Sequence, residues 1–334
     1  MNSILVTGGA GFIGSHMCGY LIKNNRNIIV IDNLSNSNLT NLKILEIKFK
    51  KKIVFYNEDI CNIEILEKIF TTHNISSLIH FAALKSVSES NKYKDMYYRN
   101  NVYGSELLFS MCKKYKVKNI IFSSSATVYG NPKYLPIDEQ HTINPINYYG
   151  ITKVETEKLL LKDNYFSESC STKILRYFNP IGSFDNSIIG ESPRGIPNNL
   201  MPYVISVAKK ENSFLKVYGN DYDTHDGTGV RDYIHIMDLI KAHFLCLNFR
   251  DIGNFTFNLG TGNGFSVLDL LKTFERVNKI KIPIKVVERR DGDVDKIYAC
   301  PQKAKKILNW VAQYDLDKMC KDSWNYALKN NNGL

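Results

Sequence analysis

Between Ser3 and Tyr177 one pattern repeats: a short, continuously apolar run, then a longer stretch of helical character. The runs are SILVTGG, NIIVIDN, KIVFYNEDI, SLIHFAA, KNIIFSSSA and STKILRYFNP. The stretches between them include GFIGSHMCGYLIKNN and a long one from about Tyr93 to Tyr115. A strand that is apolar on both faces needs cover on both faces, so the pattern predicts a parallel sheet wrapped by helices. That is an α/β, doubly wound (Rossmann) fold, which takes its ligands at the carboxyl ends of the strands. From about residue 179 the texture changes to loops rich in Gly, Pro and Asn, such as GESPRGIPNNLMP and GNDYDTHDGTGVRDY. The reading is therefore one lobe over residues 1–178 and a smaller, mixed α/β lobe over 179–334. The helical stretch near 234–248 is a candidate to return to the first lobe.

Several function classes fall away on composition. The net charge of +10 raises nucleic acid as a partner, but its densest runs, KFKKK and KKYKVK, sit beside strand starts without a nucleic-acid-binding motif. No stretch reaches the roughly 20 apolar residues that span a bilayer, and MNSILVTGG reads as a buried strand rather than a leader. The seven cysteines are scattered and never spaced CxxC, and the histidines form no ligand pair. Reduced thiols in a cytoplasmic protein without a structural metal are expected.

The glycines of ILVTGGAGFIGSH (Gly8, Gly9, Gly11 and Gly14) follow the first strand and open the first helix. Small residues there let the backbone approach a pyrophosphate, while the helix offers its N–H groups and positive dipole end. Asp32 closes the second strand, 21 residues after Gly11. A carboxylate at that place accepts from an adenosine ribose and repels a 2′-phosphate, which favours NAD over NADP. Asp59–Ile60 and Phe81–Lys85 end the third and fourth strands at the same edge, suited to adenine and the pyrophosphate side.

Tyr149 and Lys153 stand four residues apart and share a helix face, whereas Tyr148 points elsewhere. Tyrosine-to-lysine spacings of four are common on ordinary helices, so the pair by itself decides nothing. Its context does. SSSATVYG ends the fifth strand at the ligand edge, and a hydroxyl, a tyrosine and a lysine there form an acid–base set beside a nicotinamide. A free phenol titrates near pH 10; a nearby ammonium and a cationic ring favour its phenolate.

Taken together, VTGGAGFIGSH, DNLSNS, HFAALKSVSES, SSSATVYG, YYGITK, LRYFNP, GIPNNLMPY, YGNDYDTHDGTGVRDYIHIMDL, FNLGTG and RRDGDV cover almost the whole chain. In these motifs the chain resembles the UDP-galactose 4-epimerase (UDP-glucose 4-epimerase) family of the extended short-chain dehydrogenase/reductases. The resemblance implies reversible inversion at C4 of UDP-hexoses, through a 4-keto sugar and tightly bound NAD, in a homodimer. Tyr149 would take the 4-hydroxyl proton, Lys153 would lower the tyrosine pKa and bind the nicotinamide ribose, and Ser125 would hydrogen-bond the reacting oxygen. The implied NAD contacts also include Phe12, Ile13, Asn33, Asn36, Ser37, Ala82, Ala83, Asn100, Ser123, Tyr177 and Phe178. For the UDP-sugar they are Lys85, Asn179, Asn199, Leu200, Lys216, Val217, Tyr218, Arg231, Tyr233, Arg290 and Asp293, with Ile297 as a gate. A tyrosine at the gate restricts family members to UDP-glucose and UDP-galactose, a small residue admits N-acetylated sugars, and isoleucine is intermediate. Tyr148 stands where the family usually has a smaller residue.

Two rival readings lack support in the residues. A nucleotide-sugar 4,6-dehydratase needs an Asp–Glu pair immediately after the hydroxyl residue, where this chain has Ala126 and Thr127. A non-catalytic NAD-sensing scaffold has no need of Ser125, Tyr149 and Lys153 together.

Overall fold

Six strands line up in the order β3-β2-β1-β4-β5-β6, all parallel. They are β1 (Ser3–Thr7), β2 (Ile28–Ile31), β3 (Val54–Tyr56), β4 (Ile75–His80), β5 (Asn119–Ser125) and β6 (Ser171–Tyr177). A seventh strand, Gly253–Leu259, lies beside β6. This computed structural model describes residues 2–192, 197, 199–290 and 292–330. Most of GIP in GIPNNLMPY, its first Asn, and Asp291 of RRDGDV lie outside the described residues.

The strand order reverses direction between β1 and β4, and that switch point is where a doubly wound sheet opens a crevice at its carboxyl edge. β2 and β6 are buried along their whole length, as expected of strands covered on both faces. Helices α1 (Phe12–Lys23), α2 (Thr40–Phe49) and α3 (Ile63–Thr72) connect the first four strands. Leu5, Ile29, Leu78, Ile120 and Ile174, one from each of five neighbouring strands, meet Leu66, Ile69, Leu108 and Leu160 in one apolar cluster.

The segment expected as one helix from about Tyr93 to Tyr115 is broken. It divides into α5 (Lys94–Tyr97), a π-helical turn over Tyr98–Tyr103, and α6 (Gly104–Lys114), with α4 (Val87–Lys92) just before. A π turn widens the helix by one residue and is a frequent mark of functional sites. Here it brings the buried Asn101 to the loop after β4, where its side chain accepts from Leu84 N at 2.8 Å and donates to Leu84 O at 2.9 Å.

After β5 the chain makes a 3₁₀ turn over Ala126–Val128 and later enters α7 (Tyr148–Lys162), followed by α8 (Asn164–Glu168). The N-terminal donors of α7 are capped from two places. Asn147 accepts from Gly150 N at 2.8 Å, while Ser90 and Asn91, at the end of α4, accept from Tyr149 N and Tyr148 N at 3.0 Å each. Satisfying these otherwise orphaned groups fixes where the helix begins, and so fixes Tyr149.

The chain divides into two compact units, one of residues 1–130, 142–177 and 240–257, the other of 131–141, 178–239 and 258–334. The segment 131–141, read from sequence as part of the first lobe, belongs to the second unit. The helix Ile236–Asn248 runs from the second unit into the first. The core of the second unit gathers Val204, Leu215, Val217, Leu270, Phe274, Met319 and Trp324.

Candidate active site

The turn after β1 is built without side chains. Gly8 sits at φ +67°, and a Cβ on Gly14 would lie 2.1 Å from Gly8 O, so α1 starts pressed against the turn. Gly11 caps α1 with no side-chain acceptor, and no acid stands in the first turn of Phe12, Ile13 and Gly14. The donors and dipole at this helix end therefore suit an anion. Asp32 lies alongside, with one oxygen accepting from Ala10 N at 3.0 Å and the other from Leu34 N and Ser37 Oγ at 2.9 Å each. A carboxylate has about four acceptor positions, and three are used here.

Other expected contacts divide into those at the strand edge and those turned away from it. Asp59 lies three residues beyond β3, where it accepts from Asn33 Nδ2 at 3.0 Å and Cys61 N at 2.8 Å. Burial raises its pKa, but these bonds and the Arg99 charge outweigh that and leave it below the usual carboxylate value. Ile60 is different: its side chain belongs to the core, so only its backbone can face a ligand. Asn33 and Asn36 are exposed, and Ser37 is buried on Asp32. Phe81, Ala82 and Ala83 are half-buried, and Lys85 is exposed. Ala82 N lies 2.6 Å from where a Gly8 Cβ would be, so the ends of β1 and β4 touch through backbone. Asn100 is half-buried in the π turn, and it is Asn101 that reaches the Leu84 loop.

The centre is formed by α7 lying against the end of β5. Ser125 stands near enough to the Tyr149 hydroxyl to favour its phenolate, and Thr127 donates to Ser125 Oγ from both Oγ1 (3.0 Å) and N (3.2 Å). Lys153, 3% exposed, donates from Nζ to Ser123 O at 2.8 Å. Its ammonium stands 5.0 Å from the centre of the Phe122 ring and 5.8 Å from that of Tyr149. Tyr177 OH bonds Ser123 Oγ. Although Tyr149 is half-exposed as a residue, burial around its hydroxyl pushes the phenol up to about 12, against the smaller effect of Ser125. Burial also pushes Lys153 down to about 7, with Glu157 opposing. The expected lowering of the tyrosine by the lysine is thus not present in the protein alone, where desolvation of both groups wins. A phenolate at neutral pH needs positive charge brought close to the hydroxyl.

In the second unit, two arginines converge on one acid. Asp293 accepts from Arg290 Nε at 2.9 Å and faces Arg231 at 3.6 Å. Arg231 is braced by Val230 O and Val294 O, at 2.9 and 2.8 Å. The Arg290 guanidinium lies 4.9 Å above the Tyr218 ring. Along the strand Leu215–Tyr218 exposure alternates: Lys216 and Tyr218 face out, while Val217 is in the core and can meet a ligand only through its backbone. Tyr233 is buried, and desolvation holds its phenol well above the ordinary value. Asn179 is half-buried with its N–H on Asp232 O at 3.0 Å, and Phe178 is buried. Asn199 caps the helix Leu200–Ala208 and donates from Nδ2 to Glu191 Oε1 at 2.6 Å; Leu200 packs on the core. Ile297 is 8% exposed and pairs with Arg231 on the neighbouring strand.

The chain matches the protein-family model described as GDP-mannose 4,6 dehydratase over residues 5–323. It is 48% identical to the UDP-glucose 4-epimerase of Pasteurella multocida (strain Pm70) over 334 residues, covering 99% of each chain. It is 45% identical to that of Bacillus subtilis (strain 168), covering 99% of this chain and 98% of the other. The structure of UDP-glucose 4-epimerase from Bifidobacterium longum, in complex with NAD+ and UDP, superposes with a TM-score of 0.95 at 44% identity, over 99% of this chain and 100% of that one. The chain belongs to the UDP-glucose 4-epimerase family.

Epimerase-family membership gives a context to residues that sequence reading passed over. Thr7 Oγ1 bonds His80 Nδ1 at 2.6 Å, and His80 Nε2 bonds Ser105 Oγ at 2.8 Å, tying β1 and β4 to the helix after the π turn. Burial, then the Lys153 charge, pushes His80 down to about 3. It is a neutral strut. Asp232, between Arg231 and Tyr233, is buried and accepts from Thr261 N and Oγ1, Gly262 N and Ala299 N at 2.7–3.1 Å. The only signal for His80 was a polar residue ending an apolar strand, and for Asp232 an acid beside Arg231; neither says what the residue holds. Tyr148, the departure from the family pattern, is half-buried with the Lys94 ammonium 5.7 Å from its ring centre. It turns away from the Ser125–Tyr149–Lys153 set.

Proposed function

We propose that this chain inverts C4 of UDP-hexoses, interconverting UDP-galactose and UDP-glucose, with NAD held on its first unit. The observation that carries the reading is the Ser125–Tyr149–Lys153 set at the carboxyl edge of the sheet, followed by Ala126 and Thr127. Neither of those two can remove a C5 proton, so the elimination step of a dehydratase has no base at that place.

The glycine turn and the first turn of α1 fit a pyrophosphate. Asp32 fits the adenosine ribose, and its charge disfavours a 2′-phosphate. Asp59, Ile60 and Asn33 lie toward the adenine, and Phe81–Ala83 line the way along the edge. When bound, NAD supplies a hydride acceptor and later a hydride donor for C4. The protein supplies the proton chemistry. Tyr149 takes the 4-hydroxyl proton as the sugar is oxidised and returns it after the 4-keto sugar has presented its other face. Ser125 orients that oxygen and is itself oriented by Thr127. Lys153 holds the nicotinamide ribose and lends positive charge to the phenol. Arg231 and Arg290 take the diphosphate, where guanidinium groups match paired anionic oxygens. Asp293 takes the uridine ribose, Lys216–Tyr218 the uracil, and Asn179, Asn199 and Leu200 further nucleotide contacts, with Lys85 and Tyr233 near the sugar and phosphates.

Proton NMR of UDP-galactose with protein and NAD in heavy water tests the reading. UDP-glucose that retains hydrogen at C4 is the expected product. A 4-keto-6-deoxy product carrying solvent deuterium, or no conversion, would overturn the proposal.

Ile297 sets the gate to an intermediate width, so UDP-N-acetylhexosamines turn over slowly. Ile297→Tyr is expected to cost that side activity about tenfold, roughly 1.4 kcal/mol, and to spare UDP-galactose turnover. Equal rates on the N-acetylated sugar before and after substitution would remove the gate from the account.

Tyr93, Met96, Tyr98, Tyr103, Ile151 and Leu161 are exposed on the 93–115 and 148–163 segments. An apolar group of this kind supports a homodimer through those helices. Seven free cysteines and the absence, among described residues, of a helix long and apolar enough to cross a membrane support a cytoplasmic enzyme.

A further inference from the structure

Tyr149, Lys153 and Glu157 stand four residues apart on one stripe of α7, set against three consecutive serines of β5. Ser125 acts on the Tyr149 hydroxyl, Lys153 donates to Ser123 O at 2.8 Å, and Glu157 Oε1 accepts from Ser124 Oγ at 2.5 Å. Glu157 is 3% exposed and is held from β6 by Arg176, itself 5% exposed. Arg176 Nε donates to Oε1 at 2.9 Å and Nη2 to Oε2 at 2.6 Å, and Nη1 donates to Tyr129 OH at 3.1 Å.

We infer that Glu157 is a positioning residue of the catalytic set: its carboxylate favours the charged form of the Lys153 amine against burial, and Arg176 prevents it from binding that amine. This rests on the reading of Lys153 as the charged partner of Tyr149. A lysine and a glutamate at i and i+4 on a helix readily pair. Here both glutamate oxygens are taken by Arg176 and Ser124. The lysine therefore points to Ser123 O, one residue along β5, and feels the carboxylate only through space.

The surroundings of Lys153 leave the effect to this pair. His80, from β4, is held neutral by burial and by Lys153 itself. Tyr149 on the same helix is held up to about 12, and Tyr177 from β6 higher still, chiefly by burial. Ser123 and Phe122 on β5 carry no charge. Glu157 opposes desolvation at Lys153, while its two oxygens are bonded to Arg176 and Ser124.

The test is a pH titration of the Lys153 side chain in the NAD-loaded protein, by NMR of ¹³C-labelled lysine. The Lys153 signal is identified by its loss in Lys153→Met. Glu157→Gln is expected to move the midpoint about one pH unit lower. That variant leaves a guanidinium buried without its partner, which is costly. The double variant Glu157→Gln/Arg176→Met removes both charges and is expected to move the midpoint in the same direction by less. A midpoint unchanged in whichever variants fold, with only lower thermal stability, would overturn the inference and leave the pair a structural staple. The alkaline limb of kcat should follow the NMR midpoint. A midpoint that moves without the limb would uphold the role of Glu157 and count instead against Lys153 as the charge behind Tyr149.

Discussion

Tyr149→Phe is expected to lower UDP-galactose turnover by about three orders of magnitude, within the range that one general acid–base group contributes. The protein should otherwise stay as it is. The substitution keeps the ring that Lys153 faces at 5.8 Å and the N–H that Ser90 caps. It removes one hydroxyl, and Ser125 still receives Thr127. A change in stability of no more than about 1 kcal/mol follows. Substrate affinity and NAD content should therefore hold while kcat collapses, which steady-state kinetics and nucleotide analysis of the purified variant can separate. Turnover within tenfold of the parent would move the base elsewhere, and Tyr177, joined to Ser123 in the same cluster, would be next to test.

The second large effect is structural. Gly14→Ala should leave the protein less stable by about 1–3 kcal/mol, the usual cost of an overpacked site, and deprive it of most of its NAD. The added Cβ would sit 2.1 Å from Gly8 O and 2.7 Å from Gly9 Cα, and backbone cannot rotate aside. Helix α1 must then back away from the turn, and its N–H groups move from the place they offer an anion. Gly11→Ala is the internal control, because its Cβ would meet Gly8 O at 3.3 Å, a contact that a small shift relieves. Calorimetry and the nucleotide released on denaturing each variant decide the matter. A Gly14→Ala protein with normal stability and a full complement of NAD would show that α1 need not start where it does.

The placement of a short local motif on its strand, turn or helix is legible in the sequence. Gly8 to Gly14, Asp32, and the Tyr149–Lys153 spacing depend on residues close in sequence, where the periods of strand and helix already dictate direction. Strand β6 could be placed for the same reason: an apolar run of that length has to be covered on both faces. Tertiary packing decided the rest. Whether Val217 or Ile60 shows a ligand its side chain depends on which neighbour buries it, and that neighbour lies far along the chain. The π turn at Tyr98–Tyr103 answers to Asn101 finding Leu84 and Thr152, partners 17 and 51 residues away, and no local propensity announces it. The same holds for charge. Sequence placed Lys153 beside Tyr149 and predicted a lowered phenol pKa, but burial of both groups is a property of the folded molecule, and it raises the one and lowers the other. Residue type and spacing determined which groups could react; the packed environment decided which proton each one holds.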